Sequence, residues 1–147
     1  MVRLLNSTDE LEVLQMRNLR NEVLRLPLGL NLFDEDLAAE QDQIVAVYLS
    51  EDHVQGVVMA KLLGDGIAKL RQMAVAAAYQ KQGIGKQLVQ FLEKHLCSID
   101  INRIELHARV PVRSFYESQA YTASGKEFLE VGIPHIAMYK VLLPKVT

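Results

Sequence analysis

The spacing of apolar residues changes along the 147-residue chain and predicts a strand-rich middle followed by a helix. Apolar stretches rich in β-branched residues, separated by turn-forming residues, predict an antiparallel meander of three strands at 44–49, 54–63 and 67–75. Behind the meander, apolar residues recur at the spacing of one helix face: Ile84, Leu88, Phe91, Leu92 and Leu96.

The beginning of the chain is predicted as a strand, a helix and a loop. A short strand is expected at 2–5. The helix that follows runs to about residue 26 and begins with a capping box, in which Ser7 and Glu10 satisfy each other's backbone amides. Residues 28–43 are less periodic and are expected to form a loop with a short helix.

The end of the chain completes an α/β pattern. Strands are expected at 104–108, 121–129 and 136–142, with a short helix at 112–118. The order β-α-(α)-βββ-α-β-α-ββ predicts a single domain over residues 1–147 of the α/β (α+β) class. Its mixed, mostly antiparallel sheet of about six to seven strands would be flanked by about four helices.

Composition narrows the class of protein. Sixteen basic and eighteen acidic side chains give a net charge of −2, which argues against broad binding of nucleic acids, since that needs a basic face. No apolar run approaches the ~18 residues of a membrane span, and residues 1–9 lack the pattern of a secretory signal. Cys97 is the only cysteine, and the four histidines show no paired ligand spacing, so we expect no disulfide and no metal. These features predict a cytoplasmic protein without nucleic-acid or membrane partners.

A glycine-containing loop at 80–86, between the meander and the long helix, is the most informative segment. Gly83 and Gly85 let a ligand approach the backbone, and the free first-turn amides of a helix bind diphosphates. Lys81 and Lys86 add positive charge. A tight turn that binds nothing explains two glycines equally well. The dinucleotide-binding and mononucleotide P-loop patterns do not fit, because a third glycine and a Lys-Ser/Thr pair are missing.

Together with later segments, this loop resembles the GCN5-related N-acetyltransferase (GNAT) family. Residues 80–85 match the family's Gln/Arg-x-x-Gly-x-Gly/Ala motif at the start of the helix after the fourth strand. The Phe-Tyr-Glu sequence at 115–117 is similar to a second family landmark, on a short helix after the fifth strand. Residues 132–135 with Met138, and residues 20–24, resemble the tail and the first helix of one bacterial branch. The resemblance covers nearly the whole chain.

The resemblance implies a site for coenzyme A. In the family the loop amides hold the pyrophosphate, which assigns that role to Gln80, Lys81, Gln82, Gly83, Ile84, Gly85 and Lys86. The strand before the loop separates from its neighbour, so Met73 and Val75 are assigned to the pantetheine arm. Two residues depart from the pattern: Arg109 stands where many relatives have an Asn that bonds the pantetheine, and Ala120 replaces a Gly.

Acetyl transfer from a thioester to an amine also needs an oxyanion donor and an acid for the leaving thiolate. By the same resemblance, Tyr116 is the candidate acid, although a core aromatic is the alternative interpretation of this residue. The free backbone amide of Met73 or Ala74 is the candidate oxyanion donor.

The amine must also lose a proton. Glu130 and His135 flank the turn between the last two strands and are candidates for the proton acceptor, although each also fits a structural role. His107 is expected on the face of its strand opposite to Leu106 and Ala108, as a structural or site-lining residue.

The sequence thus predicts an N-acetyltransferase that moves acetyl from acetyl-CoA to a primary amine by direct attack in a ternary complex. Small-molecule and peptide amines are both candidate acceptors. The acidic residues 34–36 are a solvated surface or the lining of a pocket for a cationic amine, whereas Arg20 and Arg25 would favour an anionic acceptor. The use of other acyl groups and the choice between monomer and homodimer stay open. The alternatives are a non-catalytic acyl-CoA-binding sensor and an interaction domain whose glycine turn binds nothing.

Overall fold

Strand pairing places all the strands in one mixed sheet. The computed structural model describes residues 1–143. In this part of the chain the strands are β1 (Val2–Leu4), β2 (Ile44–Ser50), β3 (His53–Gly64), β4 (Ile67–Val75), β5 (Arg103–Arg109), β6 (Thr122–Glu130) and β7 (Ile133–Val141). The α-helices are α1 (Glu10–Leu24), α2 (Ile84–Ser98) and α3 (Arg113–Ser118). The strand order is β1-β2-β3-β4-β5-β7-β6, and every neighbouring pair is antiparallel except β4 and β5.

The parallel pair is short. Its register joins Ile67 to Arg103 and ends with Lys69 beside Glu105, so in the described residues the later part of β4 is paired on the β3 side alone. Gln72 has a φ of 58° and lies at a register shift between β3 and β4, which is a β-bulge. Beyond Lys69 the sheet therefore opens into a wedge between β4 and β5.

The two long helices cover opposite faces of the sheet. The cluster under α2 includes Leu88, Leu92, Leu96, Ile104 and Met138. The cluster under α1 includes Met16, Leu19, Val47, Val57 and Met59. Each helix buries one apolar face, and together they fix the sheet on both sides of the wedge. Within residues 1–143, none of the helices is long and apolar enough to cross a membrane.

The predicted capping box of Ser7 and Glu10 is wrong. α1 starts at Glu10, with Asp9 as its N-cap, and the Asp9 carboxylate accepts hydrogen bonds from the amides of Leu11 and Glu12. The acidic residue at the third helical position is therefore Glu12, whose carboxylate accepts from Asn6 N at 2.6 Å. Asp9 is as good an N-cap as Ser7, and a helix starting there places Glu12 over β1.

The loop after α1 contains three short 3-10 helices, Leu26–Leu28, Leu32–Asp34 and Leu37–Glu40. Two residues of α1 hold this loop. Arg20 is fully buried and donates to both carboxylate oxygens of Glu40, at 2.9 and 2.7 Å, while Asn21 Oδ1 accepts from Leu32 N at 2.8 Å. A buried cation needs a partner this close to offset its lost hydration. The loop thus follows the first helix closely without forming a helix of regular α geometry.

Candidate functional site

The wedge between β4 and β5 exposes backbone that a sheet would normally pair. Alongside it lie residues 70–75 of β4 and 106–109 of β5, and no ladder joins them within the described chain. Strand edges that lack a partner present free N–H and C=O groups, which an extended chain with amide groups can pair. Met73 and Val75 pack at the margin of the α2 cluster, whereas Ala74 is buried in the α1 cluster.

The bulge in β4 is tied to the loop after α1. Arg25 donates from Nη2 to Oε1 of Gln72 at 3.1 Å and from Nε to Oε2 of Glu35 at 2.6 Å. The pKa of Glu35 lies below its usual value because the Arg25 hydrogen bond outweighs the effect of burial. This contact places the loop beside the open part of β4.

The segment before α2 leaves a row of backbone amides free. Gly83 is the N-cap of α2 in the left-handed conformation, with a φ of 79°, and Lys81 also has a positive φ of 63°. Counting acceptors in residues 1–143 alone, the amides of residues 81–86 donate to none, and the first hydrogen bond of the helix runs from Gln87 N to Gly83 O at 3.1 Å. These amides point out of the positive end of the α2 dipole. The geometry provides a cradle for an anion.

The side chains around this cradle divide into two kinds. The side chain of Gln80 donates from Nε2 to Val75 O at 3.0 Å, and the side chain of Gln82 donates to Ala78 O at 3.2 Å. These two side-chain amides hold the shape of the loop. Lys81 and Lys86 are exposed and form no ion pair with any described residue. Their charges are available to a ligand at the cradle.

Helix α3 packs against the first turn of α2. A methyl group on Gly85 would lie 3.4 Å from Cζ of Phe115, which is ordinary van der Waals contact. Gly85 therefore faces the aromatic ring of α3, whereas Gly83 faces open space and is required by its positive φ. Because Tyr116 follows Phe115 on α3, this packing places Tyr116 near the first turn of α2.

Tyr116 is a buried phenol with a free hydroxyl. Its ring meets the rings of Phe115 and Tyr121 edge to face, with centroids 5.0 and 5.6 Å apart, and 8% of the residue is exposed. Burial raises the pKa of Tyr116 to about 12, so the proton stays on the oxygen at neutral pH. No residue in 1–143 hydrogen-bonds this hydroxyl, whereas the neighbouring Tyr121 donates to Glu93 at 2.8 Å. The hydroxyl of Tyr116 is therefore protonated and without a partner in the described part of the chain.

Three polar side chains meet on the sheet face opposite α2. Glu130 of β6 lies between two imidazoles: His107 Nδ1 is 2.9 Å from its Oε1, and His135 Nε2 is 3.5 Å from its Oε2. Phe128 packs on both rings, edge-on to His107 and stacked on His135. Burial raises the pKa of Glu130, but the hydrogen bond with His107 and the charges of both histidines outweigh it, so the net shift is downward.

Sheet register explains this meeting. β5 and β7 place Arg109 opposite His135, and β6 and β7 place Phe128 opposite His135. Alternation along β5 puts Leu106 and Ala108 into the α2 cluster and His107 on the other face. Sequence reasoning predicted that face for His107 but could not predict its partner, because Glu130 is 23 residues away.

The family model for the acetyltransferase (GNAT) domain matches residues 28–142. The chain belongs to the GNAT acetyltransferase family.

Two Bacillus subtilis proteins are similar to the chain in sequence. This GNAT chain is 34% identical over 116 residues to the Bacillus subtilis protein YyaT, covering 78% of the chain and 77% of YyaT. It is 34% identical over 77 residues to the N-acetyltransferase YjcF of the same organism, covering 52% of the chain and 55% of YjcF.

Two crystal structures share the fold. A Lactobacillus plantarum protein assigned to the N-acetyltransferases superposes with a TM-score of 0.84 at 22% identity, over 97% of this chain and 99% of the other. An aminoglycoside 6'-N-acetyltransferase, solved in complex with coenzyme A, gives a TM-score of 0.81 at 18% identity, over 100% and 99% of the two chains. The seven-stranded, mostly antiparallel sheet with its flanking helices is thus a GNAT fold, as the sequence predicted.

Both arginines considered for an anionic acceptor, and one of the three acidic residues at 34–36, form ion pairs within the GNAT chain. Arg20 is paired with Glu40 inside the protein, and Arg25 is paired with Glu35. Arg109 ends β5 on the face of His107 and has no carboxylate within ion-pair distance among residues 1–143. Over that same range, no group of three or more His, Cys, Asp or Glu side chains is arranged to hold a metal ion.

Proposed function

We propose that this protein is an N-acetyltransferase that moves an acetyl group from acetyl-CoA to a primary amine by direct attack in a ternary complex. The observation that carries the proposal is the row of free amides at residues 81–86, which lies next to an open wedge in the sheet. Membership of the GNAT family supports it.

The chain has groups that fit both ends of coenzyme A. Backbone amides of residues 81–86, with the ammonium groups of Lys81 and Lys86, would hold the pyrophosphate, and Gln80 would hold the shape of the loop through its side chain. The free edge of β4 at Met73, Ala74 and Val75 would pair with the amides of the pantetheine arm. Arg109, at the far edge of the wedge, would contact the same arm. Because Gln80 donates to Val75 O, its side chain also sets the distance between the two parts of the site.

The reaction needs no protein nucleophile. The amine attacks the thioester carbonyl, and the C–N bond forms while the amide of Met73 or Ala74 donates to the oxyanion. The C–S bond then breaks, and the thiolate takes the proton of Tyr116, which regains one from solvent. Glu130 and His135 are proposed to take part in removing the amine proton, together with His107, which contacts Glu130.

The acceptor is proposed to be an amine of a small molecule or of a peptide. Support for the first comes from structural neighbours named as aminoglycoside acetyltransferases. Pairing of Arg20 and Arg25 within the protein removes the main sequence argument for an anionic acceptor.

Two measurements test the proposal in sequence. Thermal unfolding with acetyl-CoA at about 100 times its dissociation constant should show a gain of about 2.7 kcal/mol. A panel of alkylamines, amino acids, aminoglycosides and peptides should then release free thiol faster than hydrolysis alone. Binding without thiol release from any class of amine would favour the sensor; no binding at all would favour the interaction domain.

A further inference from the structure

The contact between His107 and Glu130 lies on the sheet face opposite α2, beside the wedge. We propose that Nε2 of His107 accepts the amine proton and that Glu130 is its positioning residue. This inference rests on the proposed acetyl transfer, and it adds to the site a residue for which sequence reasoning left the role undecided.

The protonation of Glu130 determines which nitrogen of His107 carries hydrogen. Burial raises the pKa of Glu130, but the hydrogen bond with His107 and the nearby charge of Lys69 favour the carboxylate, so the net shift is downward. An ionised carboxylate can only accept hydrogen bonds. At 2.9 Å from Oε1, Nδ1 of His107 must therefore be the N–H. The lone pair of the neutral ring is then on Nε2, which has no hydrogen-bond partner among residues 1–143.

The other imidazole is held in a different way. Nδ1 of His135 lies 2.7 Å from the carbonyl oxygen of Ile133, so it carries the hydrogen and donates to that carbonyl. Its Nε2 faces the second oxygen of Glu130 at 3.5 Å, and 6% of the side chain is exposed. His107 keeps 34% of its side chain exposed. The two histidines therefore differ in how accessible they are to an incoming amine. His107 is exposed enough to meet the amine, whereas His135 is buried and contacts Glu130 from inside the protein.

The position of His107 along β5 suits this role. Glu105 is the last residue of β5 paired with β4, so His107 is the next residue on that face, where the strands have separated. Phe128 holds the ring edge-on, with centroids 4.9 Å apart and planes at 77°. A ring fixed by a carboxylate on one nitrogen, with the other nitrogen free, is the arrangement by which carboxylates orient catalytic imidazoles.

The step balances in protons and electrons. As the amine nitrogen forms its bond to the carbonyl carbon, its N–H electron pair becomes available to the new amide, and the proton moves to Nε2 of His107. The resulting imidazolium is stabilised by Glu130 and later releases its proton to solvent. The thiolate is protonated separately by Tyr116, so the two proton transfers use different residues.

Several charged groups face this pair. Lys69 approaches from β4 and Arg109 follows on β5, and both disfavour a second positive charge. Glu105, on the same face of β5, is engaged by Arg103 at 2.8 Å. Glu130 is the carboxylate in direct contact with the ring. Its removal leaves Nδ1 of His107 without its hydrogen-bond partner.

NMR of the ring nitrogens tests the coupling without any acceptor. Four histidines give few ring signals, and loss of one set of signals in His107→Gln assigns His107. In the wild-type protein we expect the neutral ring of His107 to carry its hydrogen on Nδ1, and in Glu130→Ala we expect this preference to be lost, because the hydrogen-bond partner of Nδ1 is gone. Glu127→Ala is the matched control, because it removes the same charge from an exposed site on β6 without touching either imidazole. An unchanged hydrogen position on His107 in Glu130→Ala overturns the proposal.

Kinetics test the role itself. His107→Gln should lower kcat by about 100-fold or more and leave the KM for acetyl-CoA near its original value. Glu130→Ala should also lower kcat with the KM for acetyl-CoA unchanged, whereas Glu127→Ala should change neither constant. If the wild-type protein acetylates amines and His107→Gln keeps its rate, the assignment of His107 fails while the proposed function stands. If the wild-type protein binds no acetyl-CoA and releases no thiol, the proposed function itself fails.

Discussion

At the scale of single residues, two neighbouring tyrosines differ in one hydrogen bond. Tyr116 and Tyr121 are both buried and their rings touch, but Tyr121 donates to Glu93, which also binds Lys140 at 3.1 Å. The pKa of Tyr121 is raised by burial and by the charge of Glu93. Tyr121 thus joins α2 to the end of the sheet, whereas the hydroxyl of Tyr116 has no partner among residues 1–143.

Replacing each tyrosine by phenylalanine separates catalysis from stability. Tyr116→Phe should lower kcat by about 100-fold with little change in the affinity for acetyl-CoA, because the variant loses a proton donor and no internal hydrogen bond. Tyr121→Phe should lower the free energy of unfolding by about 1–3 kcal/mol and leave kcat nearly unchanged. Steady-state kinetics and urea unfolding of both variants check the pair. Equal kcat values for Tyr116→Phe and wild type would remove the acid from the mechanism.

Ala120 shows why one departure from the family pattern is tolerated. It has a φ of 69°, a conformation that glycine adopts without strain and alanine at a cost of about 1–2 kcal/mol. The turn after α3 is over-determined, since Ala120 N and Tyr121 N both donate back into the helix. A glycine at this position would adopt the turn without strain, so Ala120 affects backbone strain and lies outside the residues proposed to bind the coenzyme.

At the scale of elements, the start of α2 decides whether the chain can hold an anion. Its two glycines have different structural reasons. Gly83 needs a positive φ, whereas Gly85 is helical and faces Phe115. The two glycines are indistinguishable in the sequence, and only the backbone conformation separates them.

Alanine at these two positions should have opposite effects. Gly83→Ala forces a side chain into the left-handed region, which costs about 1–2 kcal/mol, and should weaken acetyl-CoA binding by turning the free amides away. Gly85→Ala should leave binding intact and raise the free energy of unfolding by up to about 1 kcal/mol, because alanine is a better helix former. Calorimetric titration with acetyl-CoA and thermal unfolding measure both. Full affinity in Gly83→Ala would argue against the cradle.

At the scale of the whole molecule, ion pairs connect the first helix to the rest of the chain. Glu12 of α1 accepts from Arg3 of β1 at 2.9 Å and from the amide of Asn6. These bonds lower the pKa of Glu12, the hydrogen bond from Arg3 having the largest effect against the opposing effect of burial. The pKa values of Glu35 and Glu130 are lowered as well.

The stability of the protein should therefore fall in acid. A carboxyl group with a lowered pKa stabilises the fold above its unfolded pKa of about 4.5, and this contribution is lost as the pH falls through the folded value. Glu12→Gln should lower the free energy of unfolding at pH 7 by about 1–3 kcal/mol, with a shallower loss between pH 6 and pH 3.

Urea unfolding over this range measures the effect. Glu10→Gln is the matched control, since Glu10 is exposed in the same first turn of α1. If the two variants lose stability equally at pH 7, the ion pair with Arg3 contributes nothing.

The sequence by itself determined the strands of the meander, the long helix, the glycine loop and the family. These depend on residues a few positions apart, and hydrophobic periodicity reports them directly. The sequence alone gave the wrong N-cap for α1, because Ser7 and Asp9 are both good N-cap residues. The contact of α1 with β1 favours Asp9.

Only the tertiary structure decided which side chains meet. The wedge depends on where β4 and β5 stop pairing, and the contact of His107 with Glu130 depends on the register of three strands. The difference between Tyr116 and Tyr121 depends on Glu93, a residue of another helix. Contacts between distant residues are set by how the helices and strands pack, because one face of each must be buried, and no local pattern encodes the partner.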